Sequence, residues 1–326
     1  MGLASRVNYY RRIFPAYMGL RGSHLTFWHD SPEVNTQSSR HKLGQYYMPF
    51  LQKADYPGPY DKDGIPLLDY QGRLGRQYNP IAIAQFGLGN FNAYSRYGED
   101  ERRGKFLAVA DWLLANLETN SAGLHVWNHD FDWEYRSWLR APWQSALAQA
   151  QGISVLVRAH EETSKAIYLE YARMAFQPFQ REIQDGGIVQ VDERGDTWLE
   201  EYIVSPPTHI LNGFIWAMWG VYDYFLATGD TVAARIFDSS VRTLRNNLGR
   251  YDLGFWSLYE QSGTWLQMVA SPFYHQLHIA QLRVMYFLTE ETFFLHYADR
   301  WEGYRQSRSK RTRALCHKCA FKLCYY

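Results

Sequence analysis

Residues 143–177 read WQSALAQAQGISVLVRAHEETSKAIYLEYARMAFQ. Apolar residues recur at helical spacing over 142–160 and again over 163–177, with only a short polar link between. Two such segments in succession, without an intervening strand, predict an antiparallel helical hairpin rather than a βαβ unit. The same spacing recurs at 80–97, 101–118, 208–228, 231–249, 272–287 and 288–304, so about eight amphipathic helices are predicted. The predicted class is mainly α. Hairpins of this kind arranged in a ring form an α/α toroid, a helical-hairpin barrel whose inter-helix connections at one end build a cleft. No repeat of fixed period supports a solenoid.

Before residue 77 the character differs. Pro57-Gly58-Pro59 and Lys62-Asp63-Gly64 are turn signals, and long periodic segments are lacking. Residues 1–76 are therefore read as a strand- and turn-rich segment, 77–305 as the helical barrel, and 306–326 as a tail. Two β-like pieces, 186–192 and 253–260, interrupt the helices. Residues 305–322 carry seven Lys or Arg and no acid, which predicts a basic, disordered tail. The formal net charge of the whole chain is +1, so the body carries about −6. That excludes a global basic field for nucleic acid.

The 326 residues are 46% apolar, enough for a sizeable core, and 17% aromatic: 25 Tyr, 18 Phe and 12 Trp. Rings that keep a polar handle suit both a packed helical core and a sugar cleft, where C–H faces stack on them. The three cysteines, Cys316, Cys319 and Cys324, all lie in the tail, so no disulfide framework and no metal site are expected. No apolar run reaches the roughly 18 residues of a bilayer span. The first twenty residues show no signal-peptide pattern, and the expectation is a cytoplasmic protein. Walker A, G-x-S-x-G and H-E-x-x-H motifs are absent from the sequence.

Three clusters carry residue types suited to proton transfer. Glu200-Glu201-Tyr202 stands before a proline-broken segment and an apolar helix opening on Asn212-Gly213. A carboxyl group beside a phenol in a dry site can have its pKa displaced, but solvated loop charges and a packed ring fit the same letters. Tyr259 ends the strand-like run 253–260, where a hairpin ring covering the core is the plainer reading. Tyr274 falls in the first turn after Ser271-Pro272, with His275 beside it and His278 on the same helix face. A Tyr–His pair at a helix start suits proton transfer or anion binding, whereas two His without a matching carboxylate make a poor metal site.

Taken in order, these clusters resemble the C-terminal region of the D-glucuronyl C5-epimerases. The resemblance runs through YPGPYDKDGIPLLDY (56–70), QYNPIAIAQFGLGNFNAY (77–94), ADWLLAN (110–116), WQSALAQAQGISVLVRA (143–159), WLEEYIVSPPTHILNGFIWAMWGVYD (198–223), YDLGFWSLY (251–259) and YHQLHIAQL (274–282). It implies an α/α barrel that inverts C5 of glucuronic acid units in heparosan- or heparan-type chains, giving iduronic acid. It implies catalytic roles for Glu201, Tyr202, Tyr259 and Tyr274. Glu200, Asn212, His275 and His278 are then the expected substrate-binding residues. The chain departs from animal members in lacking a β-rich insertion, and in carrying Glu260-Gln261-Ser262 after Tyr259 where they have an arginine. The reaction needs no cofactor. The expected partner is a uronic-acid polysaccharide, and a homodimer is left open. A uronate lyase acting by β-elimination, or an inactive polysaccharide-binding protein, would keep much the same residues.

Overall fold

The structure is a computed structural model that describes residues 27–29, 31–70 and 73–325. The N-terminal residues read for a signal peptide lie outside the described residues. Among those described the chain is mainly α, with helices in paired succession as the sequence predicts. Its residues fall into two compact units. The larger holds Asn35–Pro207 and Gly213–Thr243; the other holds Thr208–Asn212, Leu244 onward and the described residues up to Val34. This division does not follow the expected boundaries at 76 and 305, because segments from distant parts of the chain share each core.

In the larger unit, α1 (Leu51–Ala54) leads to α2 (Pro80–Tyr97) and α3 (Asp100–Ala115). The α2 start is set by Asn79, whose side chain accepts from the Ile81 and Ala82 amides, and by Pro80 in the first turn. Gly98, at φ 72°, ends it in the left-handed conformation. A Cβ at Gly87 would lie 2.7 Å from Val109 Cγ1, so only glycine lets α2 approach α3 this closely. Next comes α4 (Ala146–Thr163), capped by Ser145, and then α5 (Ala166–Phe176). On α5 the buried positions 168, 172, 175 and 176 form one stripe, as the periodicity predicts. The pairs α2–α3, α4–α5 and α2–α4 are in contact. The next helices, α6 (Leu211–Thr228) and α7 (Thr231–Asn247), meet where Tyr222 packs on Phe237.

Arg158 of α4 and Asp223 of α6 form an ion pair in the core of this unit, at 2.6 Å, with both side chains almost wholly buried. Tyr47 Oη donates to Asp223 at 2.8 Å, and Arg158 Nε donates to the Gly44 carbonyl at 2.8 Å. These partners offset the cost of burying both charges. Between α3 and α4 the chain makes short antiparallel pairs that the sequence reading does not anticipate. They are β3 (Glu118–Thr119) with β4 (His125–Val126), β5 (Asn128–His129) with β8 (Trp143–Gln144), and β6 (Trp133–Glu134) with β7 (Trp138–Leu139). Upstream, β1 (Leu68–Asp69) pairs with β2 (Arg76–Gln77). The expected β piece at 186–192 contains β9 (Val189–Val191), which pairs with β10 (Thr197–Leu199).

The second unit holds α8 (Pro272–Thr289), α9 (Thr292–Gln306) and α10 (Arg308–Tyr325). In it α9 packs on α8 and on α10. The last helix corrects the expectation of a disordered tail. Ala314, Leu315, Lys318 and Phe321 lie on one buried face of α10. Its cations pack rather than repel: Arg313 covers the Phe255 ring at 4.2 Å, Lys310 covers Tyr304 at 3.9 Å, and Lys318 Nζ donates to the Val269 carbonyl at 2.8 Å. Removal of residues after Ser307 should therefore destabilise the fold by about 3–6 kcal/mol from the lost burial of Leu315 and Phe321 alone. An unchanged thermal midpoint in the truncated protein would show that α10 contributes nothing. Among the described residues no helix is long and apolar enough to cross a membrane, and no group of three or more His, Cys, Asp or Glu is arranged to hold a metal ion.

Candidate active site

The carboxylates of the first cluster are not solvated loop charges. Glu200 and Glu201 directly follow β10, and both are buried, at 1% and 6% exposure. The Glu200 amide donates to the Ile188 carbonyl at 3.0 Å, and its own carbonyl accepts from the Ala146 amide at 2.9 Å. The segment is thus tied to β9 on one side and to the start of α4 on the other. Glu201 then faces the first turn of α6, where its side chain lies against Gly213. Burial, and next the nearby charge of Glu200, raise the Glu201 pKa to about 8. At neutral pH this carboxyl group stands close to its own titration point, the condition in which a group both gives and takes a proton efficiently.

Tyr202 is half-buried in a small aromatic cluster of the same unit. Its ring centroid lies 4.6 Å from Tyr135 and 5.6 Å from Trp143, beside Phe131 and Leu139. The Tyr135 and Trp143 wall comes from the short strands between α3 and α4, and nothing in their spacing singles it out.

Tyr259 and Tyr274 come together in the second unit. Their rings meet edge to face at 4.9 Å and 65°. The Tyr259 amide donates to the Met268 carbonyl at 2.9 Å, and the Tyr259 carbonyl accepts from the Leu211 amide at 3.1 Å. Tyr274 is fixed by the start of α8, where its amide donates to the Ser271 hydroxyl that caps the helix.

His275 and His278 lie fully buried, so they present no ring edge to a ligand in solvent. Both Nδ1 atoms lie on the Ser257 hydroxyl, at 2.8 and 3.0 Å. The Ser257 amide also donates to His275 Nδ1 at 3.2 Å, so that nitrogen is an acceptor and Nε2 carries the proton, donated to the Trp301 carbonyl at 3.0 Å. Trp256 stacks on His275 at 3.8 Å and 15°. Burial lowers the His275 pKa to about 3 and His278 well below its ordinary value, so both rings stay neutral through the physiological range. Ser257 precedes Tyr259 by two residues, and His275 follows Tyr274. The Ser257–His275 contact therefore clips the segment of one tyrosine to the helix of the other.

Asn212 and Glu200 are buried as well, and the Asn212 carbonyl accepts from Gln281 Nε2 at 2.9 Å. Glu200, Glu201 and Tyr202 belong to the larger unit; Asn212, Tyr259, Tyr274, His275 and His278 belong to the second. Sequence reasoning overlooked Ser257, which sits inside the quoted run 251–259 but carries no signal of its own. It also named Gly213 only as part of a helix opening.

Comparison with known proteins bears on all three clusters. The family profile described as D-glucuronyl C5-epimerase C-terminus matches residues 120–303, more than half of the chain. The chain is 32% identical over 214 residues to a D-glucuronyl C5-epimerase of Caenorhabditis elegans, a match that covers 61% of this chain and 34% of that protein. It thus spans about a third of the nematode protein's length. It is 28% identical over 275 residues to the uncharacterized protein MJ1128 of Methanocaldococcus jannaschii, covering 78% of this chain and 88% of that one. Among solved structures, the cellobiose 2-epimerase from Spirochaeta thermophila is similar at a TM-score of 0.46 and 13% identity, over 68% of this chain and 57% of that chain. With its three tyrosine and glutamate clusters inside the matched region, the chain belongs to the D-glucuronyl C5-epimerase family.

Proposed function

We propose that the protein is an isomerase that inverts C5 of glucuronic acid units within a polysaccharide of heparosan or heparan type, giving iduronic acid. The observation that carries this reading is the buried Glu201 carboxyl group with its pKa near 8, in a chain of this family. The hydrogen at C5 is alpha to a carboxylate. Its removal as a proton leaves the C–H electron pair delocalised into that carboxylate, and inversion follows when a proton returns to C5 on the other face of the ring. Two proton-transfer groups are needed. Glu201 and Tyr274 are assigned to them, with Tyr202 and Tyr259 orienting the sugar or sharing the proton. The assignment draws support from the family motif and from the chemistry of the side chains. Nothing is consumed, so the atoms balance without a co-reactant.

Incubation with a panel of uronate polymers, heparosan included, in heavy water tests the reading. Deuterium should appear at C5, with part of the units inverted. Chain length should stay constant, and no ultraviolet-absorbing product should form. Unsaturated, shortened chains would instead identify a β-eliminating lyase. Binding without deuterium incorporation would identify an inactive polysaccharide-binding protein.

A further inference from the structure

Gly213 occupies the first turn of α6, a helix with no acid in that turn and none but uncharged side chains from Leu211 to Ile215. A helix start is an unremarkable place for a glycine, and alanine is the better helix former there. The space around it is not ordinary. The three atoms nearest a Cβ built at position 213 all belong to Glu201: carboxylate oxygen Oε2, then Cβ at 2.6 Å and Cδ at 2.8 Å. Real Cβ atoms do not approach so closely, so any side chain at 213 and the present Glu201 carboxyl position exclude each other.

We propose that Gly213 is a positioning residue for Glu201: the absent side chain of α6 is the seat in which the carboxyl group is held. The proposal rests on the reading of Glu201 as a proton-transfer group and adds the residue that fixes it. The strand side of the seat is rigid. Glu200 is tied by backbone hydrogen bonds to Ile188 and Ala146, which oppose a shift of this strand end; a side chain at 213 drives the Glu201 carboxyl group away and, because Glu201 Cβ does not move with that swing, strains these ties as well. Glu200, on the same strand end, is a charged neighbour that raises the Glu201 pKa, and α6 adds no charge in its first turn. A displaced carboxyl group leaves its dry site and returns toward an ordinary acidity.

Gly213→Ala tests this. Turnover on heparosan should fall on the order of 10²-fold, the scale of a misplaced reacting group, with KM little changed. The acid limb of the turnover profile, set by Glu201, should move to lower pH, which a merely structural change would not cause. A Gly213→Ala protein with wild-type turnover and an unmoved limb overturns the proposal, provided Glu201→Gln is inactive. An active Glu201→Gln removes the underlying reading instead. A second comparison needs no activity and covers the case of a poorly folding variant. In a Glu201→Gly background, which removes Cβ together with the carboxyl group, the obstacle is gone, so adding Gly213→Ala should leave the thermal midpoint unchanged or raised. If Gly213→Ala lowers the midpoint as much in the Glu201→Gly background as in the wild type, or the double variant fails to fold where Glu201→Gly folds, the conflict is not with Glu201 and the proposal fails.

Discussion

Replacing Glu201 with glutamine should abolish most turnover and, at the same time, make the protein more stable at neutral and alkaline pH. Glutamine keeps the shape of a protonated carboxyl group and cannot ionise. In the folded protein the Glu201 pKa is raised to about 8 from an ordinary value near 4.5, by burial first and by Glu200 second. The unfolded chain therefore holds fewer protons than the folded one between those two pH values. Stability from this group is fully present below about 4.5, declines as pH rises, and is gone above about 8. The span of that loss is several kcal/mol, at most about 5 from the size of the displacement. Denaturation midpoints of the wild type should fall from pH 5 to pH 8.5, while those of the glutamine variant should fall less, with the gap widening as pH rises. Activity should drop about 10²–10⁴-fold, as for other general acid–base groups. A residue kept at a cost in stability and needed for turnover is what a proton-transfer role requires. Parallel stability profiles with a constant gap would show that Glu201 does not titrate near 8. Full activity would remove it from the mechanism.

How much of this was legible in the sequence depends on the range of the signal. The eight predicted helices are present because each repeats its apolar stripe over three or more turns. Several are also announced by their caps, at Asn79-Pro80, Ser145 and Ser271-Pro272. The helix α10 was missed because its buried face is carried by Ala314, Leu315 and Phe321 among six cations, too sparse a pattern to outweigh the charge. The strands between α3 and α4 were missed because two residues have no period to read. In the site, the tyrosines and Glu201 could be picked out through the family motif, whereas their surroundings could not. The acidity of Glu201 depends on a glycine twelve positions later. His275 and His278 look like a ligand-facing pair by helical spacing, but Ser257, from a connecting segment about twenty residues earlier, binds both rings into the core.

Tyr274→Phe should cost turnover without costing the fold. The ring stays, and with it the edge-to-face contact with Tyr259 at 4.9 Å. The start of α8 is held by the Tyr274 amide on Ser271, which the substitution does not touch. What is lost is the ionisable hydroxyl. A group that transfers a proton in the reaction stabilises the transition state and not the bound substrate, so kcat should fall with KM nearly constant. The expected drop is about 10²–10⁴-fold, or roughly 3–5 kcal/mol at about 1.4 kcal/mol per tenfold in rate. Inversion needs two transfers, and the two can be uncoupled. If Tyr274 serves one of them and Glu201 the other, the Tyr274→Phe protein should still exchange the C5 hydrogen of one epimer with heavy water while failing to invert it. Exchange and inversion lost together would mean that Tyr274 takes part in the abstraction itself. A folded Tyr274→Phe protein with near-wild-type turnover would leave Tyr274 as a packing partner of Tyr259 and nothing more.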